Sequence, residues 1–110
     1  MCLRYASRTA HSFWLVFATI VYMYYLYVLK SQKYKTTKIY IGSTSDLVRR
    51  VKQHNNMENI STRYGIPWKL IYYEAFESKQ DALNIEKGLK TGSSSIGFLK
   101  WRIKSSLDNS

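Results

Sequence analysis

Glu86 is an acid placed among apolar residues on a predicted helix. It follows Ala82 by four positions and precedes Leu89 by three, so it lies in the stripe of the helix that faces the sheet. A buried carboxylate is costly unless it pairs with a base, takes up a proton or binds a metal ion. Three interpretations therefore stand: a salt bridge to Lys87, Lys90 or an arginine, a helix rotated slightly further toward water, and a ligand for a divalent cation.

Arg50 and His54 lie about one turn apart on another predicted helix, at the border of its apolar face. A guanidinium group there can bind a phosphate through paired donors, and an imidazole can donate a hydrogen bond or relay a proton. The alternative is an ordinary solvated charge cluster made by Arg49, Arg50 and Lys52.

Tyrosine is abundant, with ten in 110 residues. Tyr25 and Tyr27 share one face of a predicted strand, and Tyr40 closes the next strand just before Gly42. If the two strands pair as a hairpin, Tyr27 and Tyr40 come close together. Since a free phenol has a pKa of about 10, a tyrosine that acts as a base needs positive charge or a metal ion beside it. Packing in the core is the alternative for each tyrosine.

Composition limits the chemistry further. A chain of 110 residues is about one domain, and 17 Lys and Arg against 7 Asp and Glu give a net charge of +10, which favours nucleic acid or an anionic membrane as partner. The single cysteine, Cys2, excludes a disulfide framework within the chain and indicates a reducing compartment, so we expect a cytoplasmic protein. With only His11 and His54 available, a metal site would use oxygen ligands, as Mg²⁺ does.

The run from Thr9 to Leu29 contains no formal charge apart from that of His11. A membrane-spanning helix needs roughly 20 apolar residues, and the run reaches this length only by including residues 22–28, which are typical of a strand. We therefore expect residues 1–21 to be an apolar extension, residues 22–105 to be the domain and residues 106–110 to be a tail. Membrane association through residues 9–29 is the alternative.

The elements that must position these side chains alternate in type. Strands are predicted at 22–29, 38–41 and 68–76, the second of them ended by Gly42. Helices are predicted from the capping residues 43–46 to about Asn55, from Ser78 to about Lys90 before Gly92, and from 94 to 105. Residues 55–67 are predicted to be a loop.

Several segments match one family in order and type. Tyr25-Leu26-Tyr27 and Tyr40-Ile41-Gly42 stand where two signature triplets belong, with Tyr25 in place of a glycine. Ser43–Asn55 resembles an arginine-bearing helix, Pro67–Glu74 a third strand, and Ala82–Lys87 a helix with a metal-binding glutamate. Together they resemble the GIY-YIG nuclease family, in its small excinuclease-C-like branch, over about residues 22–103.

This resemblance implies an α+β fold, in which about three helices flank a small three-stranded antiparallel sheet. It also implies an endonuclease that hydrolyses phosphodiester bonds in DNA, with RNA not excluded, in DNA repair or recombination. Tyr27 or Tyr40 would orient or deprotonate the attacking water, with His54 as a further relay, and Arg50 would hold the phosphate. Glu86 would bind one Mg²⁺ or Mn²⁺ ion.

Nucleic-acid binding is expected to be mainly electrostatic and to show little sequence preference. Residues 93–95 are serines where relatives tend to carry a basic residue, so a non-catalytic binding module of the same fold is the alternative function. The expected contacts are Lys30, Lys38, Arg49, Lys52, Arg63 and Lys69.

Overall fold

A computed structural model describes residues 12–17, 22–33, 38–92 and 94–109. They form an α+β fold with one antiparallel sheet, as predicted. In chain order the elements are a helical segment α1 (12–17), β1 (Tyr24–Ser31), β2 (Ile39–Thr44), α2 (Leu47–Asn55), a 3₁₀ helix (Ile60–Gly65), β3 (Trp68–Phe76), α3 (Lys79–Lys90), α4 (Ser94–Arg102) and α5 (Lys104–Asp108).

β1 is the central strand of the sheet, with β2 and β3 as its antiparallel neighbours. Tyr27 lies opposite Gly42 of β2 and opposite Tyr73 of β3. Successive side chains of a strand point to opposite faces, and in β1 this alternation divides the core into two clusters. The sheet therefore separates the two halves of the core.

One core cluster packs the helices of the C-terminal half against the sheet. Leu26 and Val28 of β1 contact Leu89 of α3, Leu99 of α4 and Leu107 of α5 in this cluster. The other cluster joins Tyr27, Leu29 and Trp68, with side chains of α2 packed on them. As a result, α2 and α3 approach the sheet from opposite faces.

Local signals set the helix ends. The Asp46 side chain caps α2 by accepting a hydrogen bond from the Arg49 amide, and Ser78 caps α3 in the same way at Asp81. Gly92 follows α3 with a positive φ of 71°, a conformation that glycine adopts without strain. The predicted starts of both helices are confirmed.

Other boundaries differ from the predictions. β1 begins at Tyr24 instead of residue 22, and β2 continues past Gly42 to Thr44 because it stays paired with β1 there. The predicted loop 55–67 contains the 3₁₀ helix, and the predicted last helix divides at Ile103. Leu107, placed in the predicted tail, is 6% exposed and belongs to the core, so the packed region extends at least that far.

The predicted N-terminal extension lies mostly outside the described residues. Its described part, 12–17, is helical and exposes Phe13 and Trp14 to 68% each. Within the described ranges, no helix is both long and apolar enough to cross a membrane.

Candidate active site

Tyr27 is the buried centre of the candidate site. Its side chain is only 1% exposed and crosses the backbone of β2 at Gly42. The phenol hydroxyl thus reaches the edge strand of the sheet, where side chains from α2 meet it. A glycine at position 42 leaves the room that this close approach requires.

A chain of hydrogen bonds runs through the Tyr27 hydroxyl. Arg50 Nε donates to Tyr27 Oη at 3.3 Å, and Tyr27 Oη lies 2.8 Å from His54 Nε2. His54 Nδ1 lies 2.8 Å from Thr62 Oγ1, and the Thr62 hydroxyl donates to the Asn59 carbonyl at 3.3 Å. Since the Thr62 proton is used on Asn59, His54 carries its proton on Nδ1 and accepts the Tyr27 proton at Nε2.

The electrostatics of the site agree with this direction. Burial, together with the positive charge of Arg50, lowers the pKa of His54 to about 4, so the imidazole is neutral at pH 7. Burial raises the pKa of Tyr27 to about 12, although the hydrogen bond from Arg50 opposes this rise. A protonated phenol therefore donates to a neutral imidazole, while Tyr27 Oη accepts the hydrogen bond from Arg50 Nε.

Tyr40 lies beside the same centre, as the hairpin predicted. Its ring centroid is 4.9 Å from that of His54 and 6.3 Å from that of Tyr27. On its other side, Lys90 Nζ lies 5.2 Å from the Tyr40 ring centroid. Tyr40 is thus in contact with both an imidazole and an ammonium group.

Glu86 approaches the site from the opposite face of the sheet, on α3. Its Oε1 accepts a hydrogen bond of 2.5 Å from Ser43 Oγ, and its Oε2 forms a 2.7 Å ion pair with Lys90 Nζ. The Glu86 side chain is 18% exposed, and its charge contributes to the raised pKa of Tyr27. The structure therefore places Glu86 near Tyr27 and also contains the salt bridge to Lys90 that the sequence left open.

The donor set suits a hard divalent ion. Mg²⁺ keeps several water ligands and is bound in many sites by one or two carboxylates. In the described part of the chain no three His, Cys, Asp or Glu side chains cluster, so Glu86 would be the one carboxylate, oriented by Ser43. The residues fit such an ion, on condition that Lys90 gives up its contact with Glu86.

An open, polar cavity of about 260 Å³ adjoins this group. Its lining includes Ser43 and Arg50, so it is continuous with the candidate site. The full lining is Tyr24, Ser43, Thr44, Ser45, Asp46, Arg49, Arg50 and Gln53.

The sequence did not identify Ser43 or Thr62 as members of the site. Ser43 follows the second signature triplet directly, and this position is a signal that could have identified it. Thr62 lies in a segment predicted to be a loop, where no such signal exists.

The predicted nucleic-acid contacts divide into two groups. Arg49 and Lys52 are exposed on α2, the helix that carries Arg50, and Lys69 is exposed on β3. Lys38 and Arg63 are exposed but engaged, with Lys38 Nζ 5.3 Å from the Tyr64 ring centroid and Arg63 Nε donating to the Met57 carbonyl at 3.1 Å.

Lys30 differs from the other five predicted contacts. It is 8% exposed, and its ammonium group donates to the Leu107 carbonyl in α5. This ammonium group would have to leave the core to reach a phosphate, so its position in the structure does not favour a nucleic-acid contact. Its period-two position in β1 points it away from the Tyr27 face.

Comparison with known proteins gives a family match that covers the site. The profile of the GIY-YIG catalytic domain matches residues 23–98. UPF0213 protein SpyM50708 of Streptococcus pyogenes serotype M5 (strain Manfredo) is 39% identical over 79 residues, which span 68% of this chain and 83% of that protein. UPF0213 protein SPs0786 of Streptococcus pyogenes serotype M3 (strain SSI-1) matches with the same identity and coverage. No solved structure matches this chain.

Proposed function

The chain belongs to the GIY-YIG catalytic domain family, a family of nucleases, and on that premise we propose that it is a metal-dependent endonuclease that hydrolyses phosphodiester bonds in DNA. Its cleavage is directed by the structure of the DNA more than by its sequence, which suits a role in DNA repair or recombination. We assign the steps of this reaction to individual side chains of the protein.

The observation that carries the proposal is the contact of Arg50 and His54 with the Tyr27 hydroxyl. Both side chains reach it from α2, and the charge of Glu86 on α3 contributes to the raised pKa of the same phenol. Phosphodiester hydrolysis needs an activated water, stabilisation of the charge that grows on the phosphoryl oxygens, and protonation of the leaving oxygen. This group of side chains offers a candidate for each of the first two tasks.

Tyr27 orients the attacking water. Because its proton goes to His54 Nε2 and one lone pair accepts from Arg50 Nε, its second lone pair is the one that would accept a hydrogen bond from water. As the water loses its proton to Tyr27, the Tyr27 proton moves to His54, so the pair acts together as the base. Tyr40 packs against this pair and limits the access of other water molecules.

Arg50 holds the phosphate. Its guanidinium group uses Nε on Tyr27 and Nη1 on the Gln53 side chain at 3.1 Å, which fixes its plane at the mouth of the polar cavity. Tyr40 also interacts with this guanidinium group through a side-chain hydrogen bond, and the donors that remain can bind phosphate oxygens. Arg50 thereby stabilises the negative charge of the transition state.

Glu86 is the residue that would hold the divalent ion, Mg²⁺ or Mn²⁺. An ion bound there would supply Lewis-acid stabilisation and an acidic water as the proton source for the leaving oxygen. Ser43 contributes by holding one Glu86 oxygen in place, so that the carboxylate faces the site.

The DNA backbone lies along α2 in this proposal. Arg49 borders the polar cavity next to Arg50, and Lys52 is exposed on the same helix. Such contacts act on phosphates and carry no base information, which agrees with weak sequence preference.

A nicking assay tests the proposal. Supercoiled plasmid and branched DNA are incubated with Mg²⁺ or Mn²⁺ and with wild-type protein, Glu86→Gln, Arg50→Ala or the control Glu77→Gln, an exposed acid just before α3. We expect wild type and Glu77→Gln to cut, and the two site variants to lose roughly 100-fold or more in rate. Equal cutting by all four proteins, or cutting by none, would instead favour a non-catalytic binding module.

A further inference from the structure

The Lys90 ammonium group places a positive charge beside Glu86, the proposed metal ligand. Its Nζ lies 2.7 Å from Glu86 Oε2, while the other Glu86 oxygen accepts the Ser43 hydroxyl at 2.5 Å. Both oxygens of the carboxylate are therefore engaged within the protein. Each oxygen keeps a further lone-pair site, but an ion bound at this carboxylate would lie only a few ångströms from both partners, so their charges decide whether they can stay.

Ser43 and Lys90 differ as partners in a way that decides which one leaves. The Ser43 hydroxyl is neutral and is fixed on β2, and it can keep its hydrogen bond while an ion binds the other oxygen. The Lys90 ammonium group is positively charged, so it repels a divalent ion held at the same carboxylate only a few ångströms away. Because of this repulsion, we expect the ion to displace the Lys90 ammonium group and not the Ser43 hydroxyl.

Lys90 is also able to move. It is in the last turn of α3, its side chain is 45% exposed, and a flexible four-carbon stem carries the ammonium group. Ion pairs at this level of exposure contribute little to stability. The Ser43 hydrogen bond remains and keeps the Glu86 carboxylate oriented after Lys90 has left.

We propose that Lys90 is an internal counter-ion of Glu86, that a divalent ion binds only by displacing it, and that its released ammonium group then binds a phosphate of the nucleic acid. This inference rests on the proposed metal site of Glu86. It makes the two binding events cooperative, because a phosphate that attracts Lys90 also frees the carboxylate for the ion. By linkage, the metal ion strengthens nucleic-acid binding by the same factor.

Titration with MgCl₂ alone tests the displacement without any cleavage step. The amide signals of Ser43 and of residue 86 in ¹⁵N-labelled protein report binding. The proteins compared are wild type, Lys90→Met, Lys90→Arg, Lys87→Met and Glu86→Gln. Lys87 lies on the same helix and is exposed, so its loss controls for the change in net charge. The amide spectrum of each variant also verifies that it is folded.

We expect Lys90→Met to bind Mg²⁺ roughly three- to tenfold more tightly than wild type, because it has lost the competing charge. Lys90→Arg should stay near the wild-type affinity, and Lys87→Met should change it by less than about twofold.

Equal Mg²⁺ affinity in wild type, Lys90→Met and Lys87→Met, with binding lost in Glu86→Gln, would overturn the displacement and leave the proposed nuclease intact. Absence of Mg²⁺-dependent shifts at Ser43 and Glu86 in all variants would overturn the metal assignment itself, and the displacement with it.

Discussion

The Tyr27 hydroxyl lies so close to Gly42 that a Cβ atom on Gly42 would be 2.5 Å from Tyr27 Oη and 2.6 Å from Cζ. Carbon atoms in proteins do not approach oxygen so closely without one of them moving. The glycine of the second signature triplet therefore serves the tyrosine of the first triplet, across the β1–β2 hairpin.

Gly42→Ala is expected to push the Tyr27 ring aside and to break its contacts with Arg50 and His54. Stability should fall by about 1–3 kcal/mol through overpacking, and DNA nicking should fall further than stability does. Urea unfolding and the nicking assay measure the two effects. Gly97→Ala is the control, since Gly97 lies in α4 with nothing near its added methyl group, and it should gain roughly 0.5–1 kcal/mol. An active Gly42→Ala protein would contradict this reading of the hairpin.

His54 should make the protein less stable in acid. Its pKa is lowered from 6.5 to about 4 in the folded protein, chiefly by burial, so between these pH values the unfolded chain takes up a proton that the folded chain does not. Stability therefore rises with pH across this window, by on the order of 3 kcal/mol, and is fully present above it. Urea unfolding at several pH values measures this slope.

His54→Gln is the matched variant for the pH experiment. It has no titratable group at this position, while His11 remains in both proteins, so the difference between the two stability curves belongs to His54. In this variant the free energy of unfolding should lose the pH dependence that His54 contributes between pH 6.5 and about 4. Parallel curves would mean that His54 titrates normally and is not held neutral.

Thr62 is expected to fix the tautomer of His54. Thr62→Val keeps the shape of the side chain but removes the acceptor of the His54 Nδ1 proton, which costs about 1–3 kcal/mol for an unpaired buried donor. Thr62→Ser keeps the hydroxyl and should cost less. Nitrogen NMR of the imidazole checks the arrangement directly: a wild-type His54 protonated at Nε2 instead of Nδ1 would reverse the direction of the hydrogen-bond chain.

Much of the scaffold follows from local sequence. β3 was predicted at 68–76 and has those bounds, because a run of aromatic and branched residues after Pro67 suits only a strand. The helix starts were predicted because Asp46 and Ser78 satisfy free amides at their own helix ends. The closeness of Tyr27 and Tyr40 could be predicted because β1 and β2 are consecutive in the sequence and pair as a hairpin.

The parts that sequence did not reveal depend on contacts distant in the chain. Thr62 is a polar residue in a segment without periodicity, and only packing brings its hydroxyl to His54. The bond between Ser43 and Glu86 depends on where α3 crosses the edge of the sheet. Lys30 looked like a surface cation because lysine is rarely buried, and its burial follows from the way α5 closes over β1.

Lys30 and Lys52 should therefore separate stability from nucleic-acid binding. Lys30→Met loses the hydrogen bond to the buried Leu107 carbonyl and should cost about 1–3 kcal/mol of stability, with no change in the salt dependence of binding. Lys52→Ala, at an exposed position on α2, should leave stability within about 0.5 kcal/mol. It should lower the slope of log K against log salt by about 1, the loss of one phosphate contact.

Fluorescence anisotropy with a labelled duplex measures both slopes, and Mg²⁺ is omitted so that the DNA stays intact. Salt from 50 to 200 mM is a suitable range, since a few phosphate contacts change affinity strongly there. A reduced slope in Lys30→Met would return Lys30 to the nucleic-acid surface and would require α5 to open. An unchanged slope in Lys52→Ala would remove Lys52 from the DNA contacts and leave Arg49 and Arg50 as the contacts of α2.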